Sequence, residues 1–285
     1  MEKNIQNNNL KRNVSQVYLS LVPLWGTIVG FGINDISYKI YLPIWIMNVC
    51  LMLTAAWFVS GHVFKSNDTE SKHFAVGAFL LIVPFIFISL LFFWGPPPDF
   101  PAGWVATATE QQARYIMVVI AGLCIAFGFS ILREKLKDTK GGFYSLIGYT
   151  AIIIAIPLFI INIIYWGAYL VELFKIASVS SLEKMPEWFL PTRKLFGLVS
   201  VVEVALTYLA IAAFAASLSV AGWLSKTASR IYIVISFLGF LIMALSFIKI
   251  LETVSYFASI PAIPFLMPYF MGINLLRKAG NKSDL

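Results

Sequence analysis

The chain has 285 residues, of which 59% are hydrophobic and only 12% are charged, and its formal net charge is +7. Soluble domains carry roughly 25% charged residues, so this composition excludes a globule whose surface faces water. The positive charge does not indicate a nucleic acid partner, because the basic residues are scattered through short connectors and form no binding module. We therefore predict a protein whose main surroundings are the lipid bilayer.

The segment 1–15, MEKNIQNNNLKRNVS, is polar and rich in Asn, and we expect it to be a mobile cytoplasmic tail. Eight apolar runs follow, each long enough for an α-helix to cross the hydrocarbon core, which takes about 20 residues. They do not alternate polar and apolar residues as barrel strands do, and a lone segment in lipid must be helical to satisfy its backbone groups. The runs cover Val17 to Ile33, Tyr41 to Val63, Phe74 to Trp94, Tyr115 to Leu132, Phe143 to Leu173, Leu195 to Leu224, Ile231 to Ile248 and Tyr256 to Leu276.

The spacing of these runs favours a single membrane domain. The sequence predicts an all-α, polytopic integral membrane protein, with a bundle of about eight transmembrane helices over 16–276 and a short cytoplasmic tail over 277–285. If the N-terminus is cytoplasmic, 14 of the 21 basic residues fall in inner segments and 7 in outer segments. This bias favours cytoplasmic N- and C-termini and a location in the cell membrane, plasma or inner.

Two of the runs carry features that predict how their helices pack. The sixth run is rich in Ala, Ser and Gly, and small side chains let helix backbones approach closely in lipid. We therefore expect this helix to be central in the bundle. The eighth run contains Pro261, Pro264 and Pro268, which predict a helix that is bent or broken near its outer end.

Glu203 is the only formally charged residue between Leu195 and Leu224. It follows Leu195 by about 12 Å along the helix axis, and the whole run is longer than the hydrocarbon core. Two interpretations remain open at this point: a carboxyl group buried below the outer boundary, or a surface acid at the rim. A buried acid is costly in lipid and exchanges its proton closer to neutral pH than an acid in water does, as coupling residues of transporters do.

The helix that carries Glu203 has a narrow polar face. At 100° per residue, Glu203 shares this face with Thr207, Ala210, Ser217 and Ala221. Such a face suits the wall of a cavity as well as a tight contact with a neighbouring helix.

Other runs place polar residues at a comparable depth. Asn162 in the fifth run is a candidate hydrogen-bond partner for Glu203, and Arg114 and Lys249 are candidate cations near the outer face. A nearby cation would favour the ionised carboxylate, whereas burial favours the neutral acid.

Motifs that carry known chemistry are missing from the sequence. It contains no HExxH, no GxSxG and no GxxxxGK[ST] pattern. The two cysteines lie singly in apolar runs, so we predict no metal site, disulfide framework or cofactor. An enzyme is therefore not the first expectation.

We expect a permease or carrier for a small solute, with a proton-coupled step at Glu203 and a path lined by Thr207, Ser217 and Asn162. The alternative is a structural or regulatory membrane subunit that binds a partner membrane protein through its basic segment 133–140. The third option is a membrane-embedded, lipid-modifying enzyme, which requires a pair of acids facing a lateral opening.

Overall fold

The computed structural model describes residues 2–32, 38–65, 67–91, 98, 101–179 and 187–281. Every regular element in these ranges is a helix, which confirms the prediction of an all-α chain. The predicted span ends Ile33 and Trp94, and the tail residues 282–285, lie outside the described residues. The elements are α1 Glu2–Gly32, α2 Tyr38–Lys65, α3 Thr69–Leu80, α4 Pro84–Leu91, α5 Pro101–Ala106, α6 Ala108–Leu136, α7 Gly142–Ile164, a π-helical turn Tyr165–Tyr169, α8 Leu170–Val179, α9 Phe189–Val220, α10 Lys226–Ala244, a 3-10 turn Lys249–Leu251, α11 Glu252–Ser259 and α12 Ala262–Asn281.

Within these ranges, six helical segments are long and apolar enough to cross a membrane. They are Lys39–Ser60, Thr69–Leu91, Ala108–Leu136, Gly142–Ala177, Phe189–Val220 and Lys226–Ala244. The pair α11 and α12 gives a seventh candidate, with a bend of 49° between its two parts. These segments match the second to the eighth predicted spans. The helix α1 is not among them, so the first predicted span stays a prediction.

The outer surface of the bundle is apolar, as a lipid environment requires. Along α10, the large side chains of Val234, Phe237 and Leu238 point outward and are each about half exposed, whereas Tyr232 and Ser236 are buried. Soluble proteins rarely expose continuous apolar surfaces of this kind. The arrangement is consistent with a membrane protein whose polar residues face the interior of the bundle.

The N-terminal segment differs from its predicted form. The sequence predicts a mobile tail over 1–15, but α1 is continuous from Glu2 to Gly32. Extending an existing helix adds one hydrogen bond for each residue fixed, and the segment 2–22 contains neither Gly nor Pro to stop that extension. The buried Leu19 and Val22 anchor the apolar half of α1 in the core, and the polar residues continue its helix.

The last predicted span is broken, as its prolines indicate. The helix α11 ends at Ser259, and α12 begins at Ala262, directly after Pro261. Because proline has no amide hydrogen, the helical hydrogen-bond pattern cannot pass through this position unchanged. Short turns replace it: the Ile260 amide donates to the Phe257 carbonyl at 3.1 Å, and the Ile263 amide donates to the Ile260 carbonyl at 2.8 Å.

The helix α9 is central, which confirms the prediction from its small residues. It packs antiparallel along α7 and also contacts α10, α6, α11 and α12. A Cβ atom at Gly148 of α7 would lie 2.7 Å from the Phe214 ring and 3.0 Å from the Ala210 carbonyl oxygen of α9. Only glycine permits this approach, because it has no Cβ atom. The side chain of Phe214 therefore lies directly against the backbone of α7 at Gly148.

Contacts near the ends of the helices give the bundle two distinct ends. At one end Lys135 forms an ion pair with Glu70, and Lys278 donates a hydrogen bond to the Gly222 carbonyl. We call this the basic end. At the other end Trp104 lies in a cluster with Trp166, Phe174 and Phe189, and we call this the aromatic end. Among the described residues, the surroundings of Glu70, Lys135 and Lys278, all predicted to lie on the inner side, therefore meet at one end.

Candidate functional site

Glu203 and Asn162 meet in the interior of the bundle, between α9 and α7. The Nδ2 atom of Asn162 donates a hydrogen bond to Oε1 of Glu203 at 3.2 Å, which confirms the predicted contact. Each residue is only 4% exposed. Glu203 lies about 21 Å from the start of α9 and about 26 Å from its end, near the middle of the helix. The interpretation as a solvated surface acid is therefore wrong, and the carboxyl group is buried.

One oxygen of each side chain has no protein partner within the described residues. These atoms are Oε2 of Glu203 and Oδ1 of Asn162, and both are buried. The ion pairs seen in this part of the chain also exclude Glu203. Leaving a buried polar group unpaired costs about 1–3 kcal/mol, and a charged one costs more. A site that keeps such atoms at this cost is a candidate for ligand or proton binding.

The two hydroxyl groups predicted to line a path lie elsewhere. Thr207 donates a hydrogen bond to the backbone carbonyl of Glu203 at 2.9 Å, within its own helix. Ser217 donates to the Gly141 carbonyl at 2.8 Å, about 21 Å along α9 from Glu203. Neither residue is part of the wall of the cavity that reaches Glu203. Of the four predicted site residues, the structure therefore brings Glu203 and Asn162 together at this cavity.

An open cavity of about 350 Å³ reaches Glu203 from the aromatic end. Its wall on α9 runs from Phe196 to Glu203 and includes Gly197 and Ser200. A Cβ atom at Gly197 would meet nothing within 4 Å, in contrast to the crowded Gly148. The remaining wall is formed by Tyr115 of α6, Asn162 and Ile163 of α7, Trp166, Val201 of α9, Met243 of α10, Glu252, Ser255, Tyr256 and Ser259 of α11, and Ile260 and Pro261 at the break.

One face of α11 is a part of the site that the sequence analysis missed. Glu252, Ser255, Tyr256 and Ser259 all line the cavity, at spacings of three and four residues. The signal was present in the sequence as a helical polar stripe at the start of the last span. A polar stripe at the end of an apolar run is easily interpreted as the solvated boundary of the membrane. The face lies at the cavity because α11 packs against α10 and α9 on its own side of the break at Pro261.

A π-helical turn carries the wall of α7 toward the aromatic end. The amide of Leu170 donates to the carbonyl of Tyr165, five residues earlier, and the turn begins three residues after Asn162. Such turns are rare and often mark functional sites. A Cβ atom at Gly167 would lie 2.4 Å from Cβ of Tyr115, so the glycine lets α6 approach and sets Tyr115 against the cavity.

Aromatic rings form the part of the wall that lies toward the aromatic end. The ring of Phe196 stacks on that of Tyr165 with centroids 3.9 Å apart. Trp104 stacks on Tyr115 and also contacts Trp166, with centroid distances of 6.1 and 6.3 Å. The indole of Trp104 donates to the Pro98 carbonyl at 2.6 Å, which fixes this cluster to the connector before α5. The cavity is therefore bordered by a packed aromatic layer.

The charges along the cavity have one sign. Glu203 and Glu252 are acidic, and no Lys or Arg belongs to the described wall. The cations predicted to lie near Glu203 are placed differently: Arg114 is buried within α6, and Lys249 is exposed in the 3-10 turn. Neither is bonded to the Glu203 carboxyl group. The cavity therefore has two carboxyl groups in a protein whose net charge is +7.

Comparison with known proteins gives no match that bears on this site. No protein-family model matches the chain, and no curated protein or solved structure is significantly similar to it.

Proposed function

We propose that this protein is a multi-pass carrier of a small solute in the cell membrane, with a proton-coupled step at Glu203. The observation that supports this function is the cavity of about 350 Å³ that leads from the aromatic end to a buried, partly unpaired carboxyl group. Acids inside membrane domains are costly and commonly mark substrate or proton pathways. A cavity lined by apolar and aromatic residues with a few polar groups suits a small molecule.

The pair of Asn162 and Glu203 suits a group that changes its protonation state. Oε1 of Glu203 accepts a hydrogen bond from the Asn162 amide at 3.2 Å, an arrangement that suits an ionised carboxylate. A neutral carboxyl group can instead donate its proton to an amide oxygen, because an Asn side chain offers both a donor and an acceptor. Asn162 therefore supports both forms of Glu203, and a proton can be taken up or released without leaving the amide unpaired.

The cavity does not continue along α9 toward the basic end in this conformation. Its wall on α9 stops at Glu203, and beyond that point α9 lies tightly on α7 at Gly148. Carriers expose a central site to the two sides of the membrane in turn, by movement of helices about the site. We infer that the present structure is the form open toward the aromatic end, and that the α7–α9 contact opens in the other form.

The proposal includes a complete topology. α1 serves as the first of eight spans, the aromatic end faces outward and both termini are cytoplasmic, as the 14-to-7 distribution of basic residues favours. Leu24, Trp25 and Ile28 form an exposed apolar face on α1, and Leu19 and Val22 are buried against the bundle. A helix with this distribution is suited to lie between protein and lipid.

The test is transport by the full chain in proteoliposomes. We expect an imposed pH gradient to drive solute-dependent proton flux with the wild type, and we expect Glu203→Gln to abolish it, because the amide cannot exchange a proton. Glu187→Gln is the matched control, since Glu187 is an exposed acid before α9. Equal flux in wild type and Glu203→Gln would contradict the proton step, and no flux above empty liposomes with any of a library of small solutes would contradict the carrier.

A lipid-modifying enzyme is the second candidate, because Glu203 and Glu252 place two carboxyl groups on the wall of one apolar cavity. Enzymes that cleave polar bonds often use such a pair as acid and base. This function predicts a new lipid product, seen by mass spectrometry of bilayer lipids incubated with the protein, and its loss in both Glu203→Gln and Glu252→Gln. Unchanged lipids with the wild type would exclude it.

A further inference from the structure

We propose that the cavity binds a protonated organic amine, which exchanges with a proton at Glu203. This inference rests on the proposed carrier function and gives it a substrate class and a direction of coupling. The juxtaposition that carries it is a pair of buried, unpartnered oxygens from Glu203 and Asn162 at an acidic cavity walled by aromatic rings.

The charge of the wall selects for cations. Glu203 lies at the inner part of the cavity, and Glu252 is an exposed acid on its α11 side. No basic side chain of the described wall balances these two groups. In a site of low dielectric constant, an uncompensated carboxylate attracts a cation more strongly than it does in water. An anionic solute would meet repulsion from both acids, and a neutral solute would leave the carboxylate without a counter-charge.

The hydrogen-bond groups of the wall are matched to a donor. Oε2 of Glu203 and Oδ1 of Asn162 are acceptors that have no partner among the described residues. The hydroxyl hydrogens of Ser255 and Ser259 are already donated to the carbonyls of Glu252 and Tyr256, at 2.9 and 2.7 Å. These two hydroxyl groups therefore do not compete for the buried acceptors, and an ammonium group, which has donors and no acceptor, supplies the hydrogen bonds that Oε2 and Oδ1 lack.

The size and the aromatic lining indicate an organic cation rather than a bare metal ion. A volume of about 350 Å³ is far larger than the roughly 30 Å³ occupied by one water molecule. The rings of Tyr115, Trp166, Phe196 and Tyr256 line it. Such rings contact apolar groups and attract cations through their faces. The wall therefore fits a molecule with an apolar body and one ammonium group.

The proton and the ammonium ion exclude each other because both bind the single carboxyl group of Glu203. The neutral acid gives up its proton to water as the ammonium ion arrives, and the ammonium then pairs with the carboxylate; one positive charge enters the site and one leaves it. The other titratable groups that face the site are Tyr115 on α6 and Glu252 and Tyr256 on α11, whereas the walls from α7 and α10 contribute no titratable group. Of the two carboxyl groups, only that of Glu203 is buried, whereas Glu252 is exposed. Proton release on binding is therefore assigned to Glu203.

The experiment is calorimetry on the full chain in detergent with three probes of equal size and different charge: benzylammonium, benzyl alcohol and benzoate. We expect benzylammonium to bind at least about tenfold more tightly than either of the others, a difference that an unscreened charge pair readily provides. Its Kd should rise about tenfold for each unit by which the pH falls below the range in which Glu203 ionises. Heats measured in buffers of different ionisation enthalpy should show one proton released per ligand while the acid is protonated.

Variants assign the effect to the site. Glu203→Gln keeps the size of the side chain and an acceptor for the Asn162 amide, and we expect it to weaken benzylammonium binding by about 30-fold or more and to remove the proton release. Glu187→Gln should bind as the wild type does. If Glu203→Gln does not fold, the pH dependence and proton release of the wild type still decide the matter.

Two kinds of result overturn the inference: equal or absent binding of the three probes, or benzylammonium binding that neither releases a proton nor depends on pH. The carrier proposal fails separately. Selective benzylammonium binding without flux in proteoliposomes would contradict transport while the cation site stands. Glu203-dependent flux of a neutral or anionic solute would contradict the cation site while the carrier stands.

Discussion

Between Ala210 and Val220, the inward face of α9 lies directly on α7, whereas between Phe196 and Glu203 the same helix borders a cavity. In the first region, the polar group is satisfied across the helix contact: Ser217 donates to the Gly141 carbonyl at 2.8 Å. In the second region, Oε2 of Glu203 is buried and has no partner in the part of the chain that the structure describes. One helix thus contains a contact half and a cavity half, and we use these two names for residues 210–220 and 196–203.

The comparison indicates that the contact half of α9 contributes mainly to stability and the cavity half mainly to activity. Small side chains and satisfied hydroxyl groups in the contact half bring two helices together, which is how membrane helices associate. The cavity half forgoes packing and leaves a polar atom unpaired, and both are costly. A protein retains such a combination where activity needs it. Substitutions should therefore lower stability in the contact half and lower activity in the cavity half.

The largest effect on stability is expected from replacing glycine by alanine at two places: at Gly148 of α7, which faces the contact half, and at Gly197 of α9, in the cavity half. Gly148→Ala places a methyl group 2.7 Å from the Phe214 ring, and we expect a loss of about 1–3 kcal/mol in the free energy of unfolding. Gly197→Ala meets open space and should instead raise stability by up to about 1 kcal/mol, because Gly is a poor helix former. Unfolding by SDS in mixed micelles measures both, and equal effects would contradict the distinction between the halves.

A second prediction concerns the polar pair itself. Replacing both partners, with Asn162→Leu and Glu203→Met together, removes two buried polar groups and keeps their approximate volume. We expect the free energy of unfolding to rise by about 1 kcal/mol or more, because an incompletely paired polar network is replaced by apolar contacts. The same unfolding assay measures this, and the double variant should show no proton flux. A loss of stability with retained flux would show that the pair is structural.

The smallest effect is expected from the hydroxyl groups of α9. Ser217→Ala breaks a hydrogen bond between two helices, and we expect it to cost about 0.5–1 kcal/mol with transport unchanged. Thr207→Val is the matched control, because the Thr207 hydroxyl bonds within its own helix. A Thr207→Val variant that is destabilised more than Ser217→Ala would contradict the assignment of the inter-helix bond. A loss of transport in Ser217→Ala would restore Ser217 to the solute path.

The contact between Asn162 and Glu203 could be predicted from the sequence, because the rise per residue and the lengths of the spans place both residues at a similar depth. The break at Pro261 could also be predicted, since proline cannot continue the backbone hydrogen bonds of a helix. It did not separate Ser217 from the site, because a helical wheel shows which residues share a face and not which neighbour covers each part of it. The contribution of Ser255 and Ser259 depends on how α11 packs against α9 and α10 beyond the break, which no local pattern encodes.

The most direct test of the central claim is chemical modification of the carboxyl group by dicyclohexylcarbodiimide, an apolar reagent that reacts with protonated acids in apolar sites. We predict a covalent adduct at Glu203, located by mass spectrometry of peptides from the full chain, with a rate that rises as the pH falls and that benzylammonium reduces. The absence of an adduct at Glu203, or a rate unaffected by both pH and benzylammonium, would contradict a cavity in which one buried acid binds a proton and a solute in turn.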